Sequence, residues 1–434
     1  MTALRALHQA SRPAGQVVAL RGAERLTWER FQAEVGGAAR ELAGCRRAAL
    51  LCRDSWRFAV GLFGLLSAGA TVVLPPNAQL ATLAALAGDI DRMVDDGFAP
   101  GGAEWSQPPD ADASRLHFQT SGSTGDAKRI ERSLGEMEAE IAALHSLWGE
   151  SLAGATAVAT VPHQHVYGLI FKLLWPLAAG RPFFTRQHDL WEDLLAEMPA
   201  GALLVTSPAH LTRLGGLAPL AQDRQPRMIL SAGAALPEAA AEEARQVLGV
   251  AVTEIYGSTE TGAIASRRRH GGEPAWTPLP GYGVSPTAAG LLELEAPFGR
   301  IELADRIRMA AGGGFHLQGR ADRIAKIEGK RISLDEVERA LTALPEVEVA
   351  ALVVLAESPP VLAAVVVPSP EGAAILAARG AFRFSRLLRQ GLSASLEPAG
   401  LPRRWRFVAA LPTGTMGKRR AGDFAALFGG SGDG

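Results

Sequence analysis

Thr120-Ser121-Gly122-Ser123-Thr124-Gly125-Asp126-Ala127-Lys128 follows a short strand-like run, Leu116-His117-Phe118-Gln119, and ends on a lysine. Glycines let backbone N–H groups approach an anion closely, the Ser and Thr hydroxyls add donors, and the lysine brings a mobile positive charge. Such a loop suits polyphosphate. The pattern G-x-x-x-x-G-K-[ST] cannot be written onto Gly122 to Arg129, so this is not a Walker loop. By itself the cluster also reads as a solvated linker.

Around this loop, strand-like and helix-like segments alternate, the pattern of an α/β protein with mixed, largely parallel sheets and flanking helices. Ala157-Val158-Ala159-Thr160-Val161, Ala202-Leu203-Leu204-Val205-Thr206, Met228-Ile229-Leu230 and Val252-Thr253-Glu254-Ile255 read as short buried strands. Ligands of open parallel sheets bind at the carboxyl ends of strands. Pro162-His163-Gln164-His165, Ser207-Pro208, Ser231-Ala232-Gly233 and Tyr256-Gly257 are therefore expected to converge on one crevice. Ala59 to Leu74 is apolar but glycine-broken and too short for a bilayer. It reads as a buried helix running into the strand Thr71-Val72-Val73-Leu74, stopped by Pro75-Pro76.

The 434 residues suffice for two or three domains, and the 47% hydrophobic content supplies a large core. A net charge of −1 argues against bulk affinity for nucleic acid or membrane. Cys45 and Cys52 are the only cysteines and read as reduced core residues of a cytoplasmic protein. Met1 to Arg12 shows no secretory h-region. Composition shifts near Asp322, which divides the chain into an N-terminal domain of residues 1–321 and a C-terminal one of 322–434. Beyond the shift come a short strand, a turn at Gly329, an amphipathic helix from Leu334 to Leu344, and strands Glu348 to Leu355 and Val361 to Val367. Between Ile375 and Arg420 ten basic residues face one acid, Glu397. This is either a solvated face or a docking surface for an acidic partner.

Three further motifs follow the loop in order: Tyr256-Gly257-Ser258-Thr259-Glu260-Thr261-Gly262, then Gly319-Arg320-Ala321-Asp322 to Glu328-Gly329-Lys330, then Pro412-Thr413-Gly414-Thr415-Met416-Gly417-Lys418. Together the four resemble the adenylate-forming superfamily of acyl-CoA synthetases, peptide-synthetase adenylation domains and luciferases, from about residue 20 to about residue 420. The resemblance implies a large adenylation domain and a small mobile α+β lid. It also implies ATP and Mg²⁺ as cofactors, a small carboxylic acid as substrate, and either an acyl carrier protein or CoA as thiol acceptor.

A carboxylate attacking the α-phosphorus of ATP meets charge repulsion, so cations belong where the two join. The resemblance assigns Lys418 to that point and Glu260, with Thr124, to Mg²⁺. It places Thr120, Ser121, Gly122, Ser123, Thr124, Gly125 and Lys128 on the phosphates. Tyr256 and Gly257 with Gly233 and Ala234 would flank adenine, Thr259 belongs to the same nucleotide motif, and Asp305 with Arg320 would hold the ribose. Asp305 and Arg320 also read as a simple ion pair. Asp322 falls at the lid hinge, and Lys326 would assist thiol transfer or stand as a solvated strand residue. His165, Tyr167, Ser207, Ser231, Thr261 and Ile264 would line the acid pocket. No carboxylate occurs in Pro162 to Leu169, which disfavours an amino-acid substrate, and His163 with His165 lacks a third ligand for a metal.

Three departures stand out. Ala127 replaces the usual proline, Leu303-Ala304 replaces Thr-Gly before Asp305, and the segment before the phosphate loop is short. The compact form resembles ligases that load 4-hydroxybenzoate-type aryl acids onto acyl carrier protein in xanthomonadin and aryl-polyene pathways. The enzymatic alternative is an acyl-CoA synthetase that joins a fatty or 3-hydroxy acid to free CoA, and a scaffold that binds nucleotide without turnover is the alternative of another class. Glu260, Asp305, Arg320 and Lys418 together argue against it.

Overall fold

The computed structural model describes residues 1–75, 77–121, 127–327, 330–355, 357, 360–393, 396–412 and 421–429, with backbone alone at 80, 81, 85, 120, 121, 127, 128, 322, 326, 330 and 331. The chain forms two compact units: residues 1–121, 127–283 and 295–299 make the first, and residues 284–294 with the described residues from 300 onward make the second.

The first unit is built on two sheets. The larger has nine strands, in the order Thr277–Pro278, Gly262–Arg268, Val252–Ser258, Met228–Ser231, Leu203–Thr206, Ala157–Ala159, Phe183–Phe184, Val17–Arg21 and Glu24–Thr27. Its six central strands, from Val252–Ser258 to Val17–Arg21, run parallel, while the outer ones turn back antiparallel. The smaller sheet runs Arg92–Val94, Arg47–Leu50, Thr71–Leu74, Arg115–Ser121 and Ala127–Ser133, with only the last pair antiparallel. Central parallel strands are covered on both faces and so read as apolar runs. Leu203, Leu204 and Val205 are fully buried on this account.

Ser55–Ser67 is the buried helix expected ahead of Thr71–Leu74. Asp54 caps it by accepting the Arg57 N–H, and Arg21 holds the same carboxylate through two nitrogens, each at 3.0 Å. No described helix is long and apolar enough to cross a membrane.

The second unit is α+β. It contains most of a four-stranded sheet, Gly283–Pro286, Leu291–Ala296, Gly299–Met309 and Phe315–Arg320, and a hairpin of Ile324–Ile327 with Lys330–Ser333. A three-stranded sheet, Val347–Leu355, Val361–Pro368 and Arg404–Phe407, packs against helices Leu334–Thr342 and Pro370–Leu392. The compact units part ahead of residue 321. The reason is that Gly299–Met309 pairs with Phe315–Arg320, which runs directly into the turn at Ala321–Arg323.

Candidate active site

The parallel strands of the larger sheet end level with one another. Val205 pairs with Ala159, Thr206 with Ser231, and Ser231 with Glu254, so Thr160, Thr206, Ser231 and Glu254 lie level, with Ser207 and Ile255 one residue beyond them. Thr160 and Thr206 seal that register, their hydroxyls 2.8 Å apart. Three of the four segments read as strand ends leave the sheet along this edge, while Tyr256 and Gly257 continue the strand Val252–Ser258 beyond it.

Each end then turns in a way its residues dictate. After Pro162 the chain folds back into the helical run that opens at Val166–Gly168, and a Cβ at Gly168 would lie 2.1 Å from the Pro162 carbonyl, so only glycine fits. This short helix packs on the strand Gly262–Arg268, which carries Ile264. Tyr167 is nearly buried, and its hydroxyl approaches the Thr206 backbone without reaching hydrogen-bond geometry. The Ser231 hydroxyl is likewise buried without a partner. Ser207 meets His210 Nδ1 at 3.2 Å. His165 is half-buried at the start of the helix.

His163 is not half of a metal pair. Its Nε2 donates to the Cys52 carbonyl and its Nδ1 accepts from Ser55 Oγ, both at 2.9 Å, which sets the tautomer. Gln164 donates to the same Cys52 carbonyl, also at 2.9 Å. Burial, aided by the Lys172 cation, pushes the His163 imidazole down to about 3, so it stays neutral. It ties the smaller sheet to the larger one. Among the described residues no group of three potential ligands could hold a metal ion.

The strand Val252–Ser258 carries the second motif. Tyr256 lies half-buried beside Trp276, ring centroids 5.4 Å apart. Two residues earlier the buried Glu254 accepts Arg267 Nε at 2.8 Å and the Leu236 N–H at 3.3 Å. That anchors the loop bearing Gly233, at φ +100°, and Ala234, both exposed. At the hairpin tip the Thr261 hydroxyl accepts the Ser258 N–H at 3.1 Å and donates to the Gly262 carbonyl at 2.9 Å. Its polar capacity is used by the turn. Thr259 and Glu260 stand at the apex, Glu260 exposed.

The residues sequence reasoning missed lie beneath this tip. Glu140, on the helix Leu134–Trp148, accepts the Ala263 N–H at 2.8 Å and Arg132 Nη2 at 3.3 Å. Arg132 belongs to Ala127–Ser133, the second arm of the phosphate-loop hairpin, in which Ser121 pairs with Ala127. A buried ion pair thus bolts the glycine-rich hairpin to the Glu260 hairpin. Burial pushes the Glu140 carboxyl up, and Arg132 opposes the shift. Gly262 sits at φ +66°, where a Cβ would meet Glu140 Oε2 at 2.0 Å, and a Cβ at Gly257 would meet the Gly262 carbonyl at 1.9 Å. The signal was a glutamate on the face of Met137, Ile141 and Leu144, all buried.

In the second unit, Asp305 pairs across strands with Arg320, Nη1 to Oδ2 at 3.2 Å, and the Arg320 N–H donates to Asp335 at 2.9 Å. Arg323 forks between Asp335 at 2.8 Å and Glu338 at 2.6 Å. Asp322 lies in the turn between them, and Lys326 is in the hairpin strand Ile324–Ile327 opposite Arg331. Thr120, Ser121 and Lys128 are placed by backbone alone. Gly122, Ser123, Thr124, Gly125 and Lys418 lie outside the described residues.

Comparison with known proteins agrees with this layout. The model of the AMP-binding enzyme family matches residues 76–292, half of the chain. The 4-coumarate–CoA ligase of Rhodobacter capsulatus is 31% identical over 325 residues, 72% of this chain and 77% of that one. ATP-bound MatB from Rhodopseudomonas palustris superposes with a TM-score of 0.79 at 21% identity, covering 99% of both chains. The anthranilate CoA ligase AuaEII, in complex with anthranoyl-AMP, gives 0.73 at 18% identity, covering 99% of this chain and 96% of that one. On the family match and the 31% identity across most of its length, the chain belongs to the AMP-binding enzyme family and is an adenylate-forming, AMP-forming acid–thiol ligase.

Proposed function

We propose that the chain activates a small aryl acid, best represented by 4-hydroxybenzoate, as its acyl-adenylate and passes the acyl group to the pantetheine thiol of an acyl carrier protein. The observation that carries the acid class is the strand-end edge. Ser231 and Tyr167 offer two buried hydroxyls without hydrogen-bond partners near Thr206, Ile264 is buried on the strand against which the Tyr167 helix packs, and Pro162 to Leu169 holds no carboxylate to greet an amine. A hydroxylated ring satisfies both polar and apolar parts of that lining. The similarity to a 4-coumarate–CoA ligase supports an aryl acid.

In the first step the carboxylate attacks the α-phosphorus and pyrophosphate leaves; in the second the thiol attacks the acyl carbonyl and AMP leaves. Tyr256, Gly233 and Ala234 flank the base, Asp305 and Arg320 take the ribose, and the glycine-rich hairpin takes the phosphates. Glu260, an exposed carboxylate on a rigid turn, fits Mg²⁺, which commonly uses few protein carboxylates beside phosphate oxygens. When bound, the ion neutralises the departing pyrophosphate. Lys418 bridges carboxylate and α-phosphate, and residues 322–434 act as a lid turning at Asp322, bringing Lys326 forward for transfer in the cytoplasm.

Pyrophosphate exchange into ATP with 4-hydroxybenzoate, 4-coumarate and anthranilate tests the first step. Exchange with at least one is expected, and none with any of them would overturn the aryl reading. Lys418→Ala should lower exchange about 100-fold or more while leaving nucleotide binding nearly unchanged. The name of the Rhodobacter capsulatus relative favours free CoA as a second reading of the acceptor. Product on the holo carrier protein and none on CoA decides for the first.

A further inference from the structure

We propose that the outer face of the helical stretch 381–392, centred on Phe382 and Arg386, is the docking surface for the acidic carrier protein; this rests on the carrier-protein reading above. The basic residues of the second unit do not contribute equally. Arg389 donates to the Pro402 carbonyl at 2.9 Å, Arg404 pairs with Glu357 at 3.4 Å, and Arg406 donates to the Leu427 carbonyl at 2.9 Å with its guanidinium over Phe428. Arg403 is engaged as well. Arg379, Arg383 and Arg386 are exposed, with no ion-pair partner among the described residues.

Between them stands Phe382, 72% exposed, the most exposed large hydrophobic side chain among the described residues. Gly380, at φ +76°, breaks the helix Pro370–Leu392, so the stretch from 381 onward is a separate helical segment. Phe384, Leu388 and Leu392 form its buried stripe against the sheet core. Helical periodicity sets Phe382 and Arg386, four apart, on the opposite side, with Arg383 flanking them. From Gly372 to Leu396 the sequence holds no acid, so the stretch carries no local compensation.

An exposed ring on the same helical side as Arg383 and Arg386 is poorly served by water. A partner that covers the ring with an apolar side chain and meets the arginines with carboxylates gains from both, and its approach is steered at low salt. A nucleotide tail would use the arginines but has little use for the ring. The acidic protein is therefore the better fit.

Transfer is measured with holo acyl carrier protein, CoA and free pantetheine as acceptors, beside pyrophosphate exchange. Arg383→Glu with Arg386→Glu should lower kcat/KM for the carrier about tenfold or more, and Phe382→Ala by about threefold to tenfold. Exchange and the pantetheine rate stay unchanged, which shows the fold intact. Raised salt should slow the wild type with the carrier and leave the double variant insensitive. Equal carrier kinetics in wild type and variants overturns the surface alone. A loss seen with CoA and not with the carrier assigns the face to nucleotide phosphates and overturns it, as does a wild-type dimer that Phe382→Asp dissolves. A wild type that exchanges pyrophosphate and loads CoA but never the carrier overturns the carrier reading, and the surface falls with it.

Discussion

Two hairpin regions of this molecule are wired by the same kinds of residue and behave differently. In the first unit, Arg132 and Glu140 meet with side chains 1% and 2% exposed. In the second, Arg320 and Asp305 meet at 46% and 16%. A buried pair is costly to desolvate but very costly to break, because the survivor keeps an uncompensated charge. An exposed pair contributes little and is screened by salt. The first arrangement therefore fixes geometry, and the second permits exchange of partners. The Glu260 turn is fixed. The strand leading into Asp322 is held by contacts that can be remade.

The largest expected effect follows from this contrast. Glu140→Ala leaves buried Arg132 with only the part-exposed Glu136, 3.3 Å from its Nε, and removes the acceptor of the Ala263 N–H, and should cost about 3 kcal/mol of unfolding free energy in urea titration. Glu140→Gln keeps an acceptor for that N–H and should lose less stability, yet still raise the KM for ATP if the two hairpins share the nucleotide. Gly262→Ala belongs with it, since the added Cβ meets Glu140 Oε2 at an unfavourable φ. A loss below about 1 kcal/mol in Glu140→Ala would place this pair in the same class as the exposed one.

Second in size is a pH effect confined to the first unit. His163 is neutral in the folded chain down to about 3, whereas the unfolded chain takes up a proton on it near 6.5. Between those values the unfolded state binds the extra proton, so stability falls as pH falls. From about pH 6.5 to about pH 4.5 this contribution is about 2 kcal/mol, and it is retained in full above the unfolded value. His163→Gln should flatten the slope of unfolding free energy against pH over that interval by about one proton. Equal slopes in both proteins would mean that the imidazole is charged in the fold.

The sequence showed the strand ends well and the wiring beneath them poorly. Thr71–Leu74 is found where it was read, and Leu203–Thr206 and Val252–Ser258 begin within a residue of expectation or run past it, because buried parallel strands are apolar runs punctuated by turn residues. Ala127–Ser133 was not legible as a strand. Its sequence is mostly polar, with Ile130 the one large apolar residue. Glu140 read as an ordinary helix charge, since periodicity places a side chain on a face but does not name the N–H it will meet. His163 and His165 looked like neighbours on one face of an extended segment. The chain instead turns at Pro162 and enters a helix at Val166, so the two rings diverge in role. For Glu140 and His163 the missing information was a contact with residues distant in sequence, Ala263 and Cys52.

The smallest expected effect tests the exposed pair. Asp305→Asn should cost less than about 1 kcal/mol of stability, since Arg320 is half in water and keeps its backbone tie to Asp335. Its effect on nucleotide use is the informative one. If the Asp305 carboxylate accepts a ribose hydroxyl, the wild type should favour ATP over 2′-deoxy-ATP by about tenfold in kcat/KM, and the variant should lose that preference. Should both proteins discriminate equally, Asp305 serves to pair Arg320 and not to hold the ribose. The pair would then differ from Arg132 and Glu140 in strength alone, and not in what it is for.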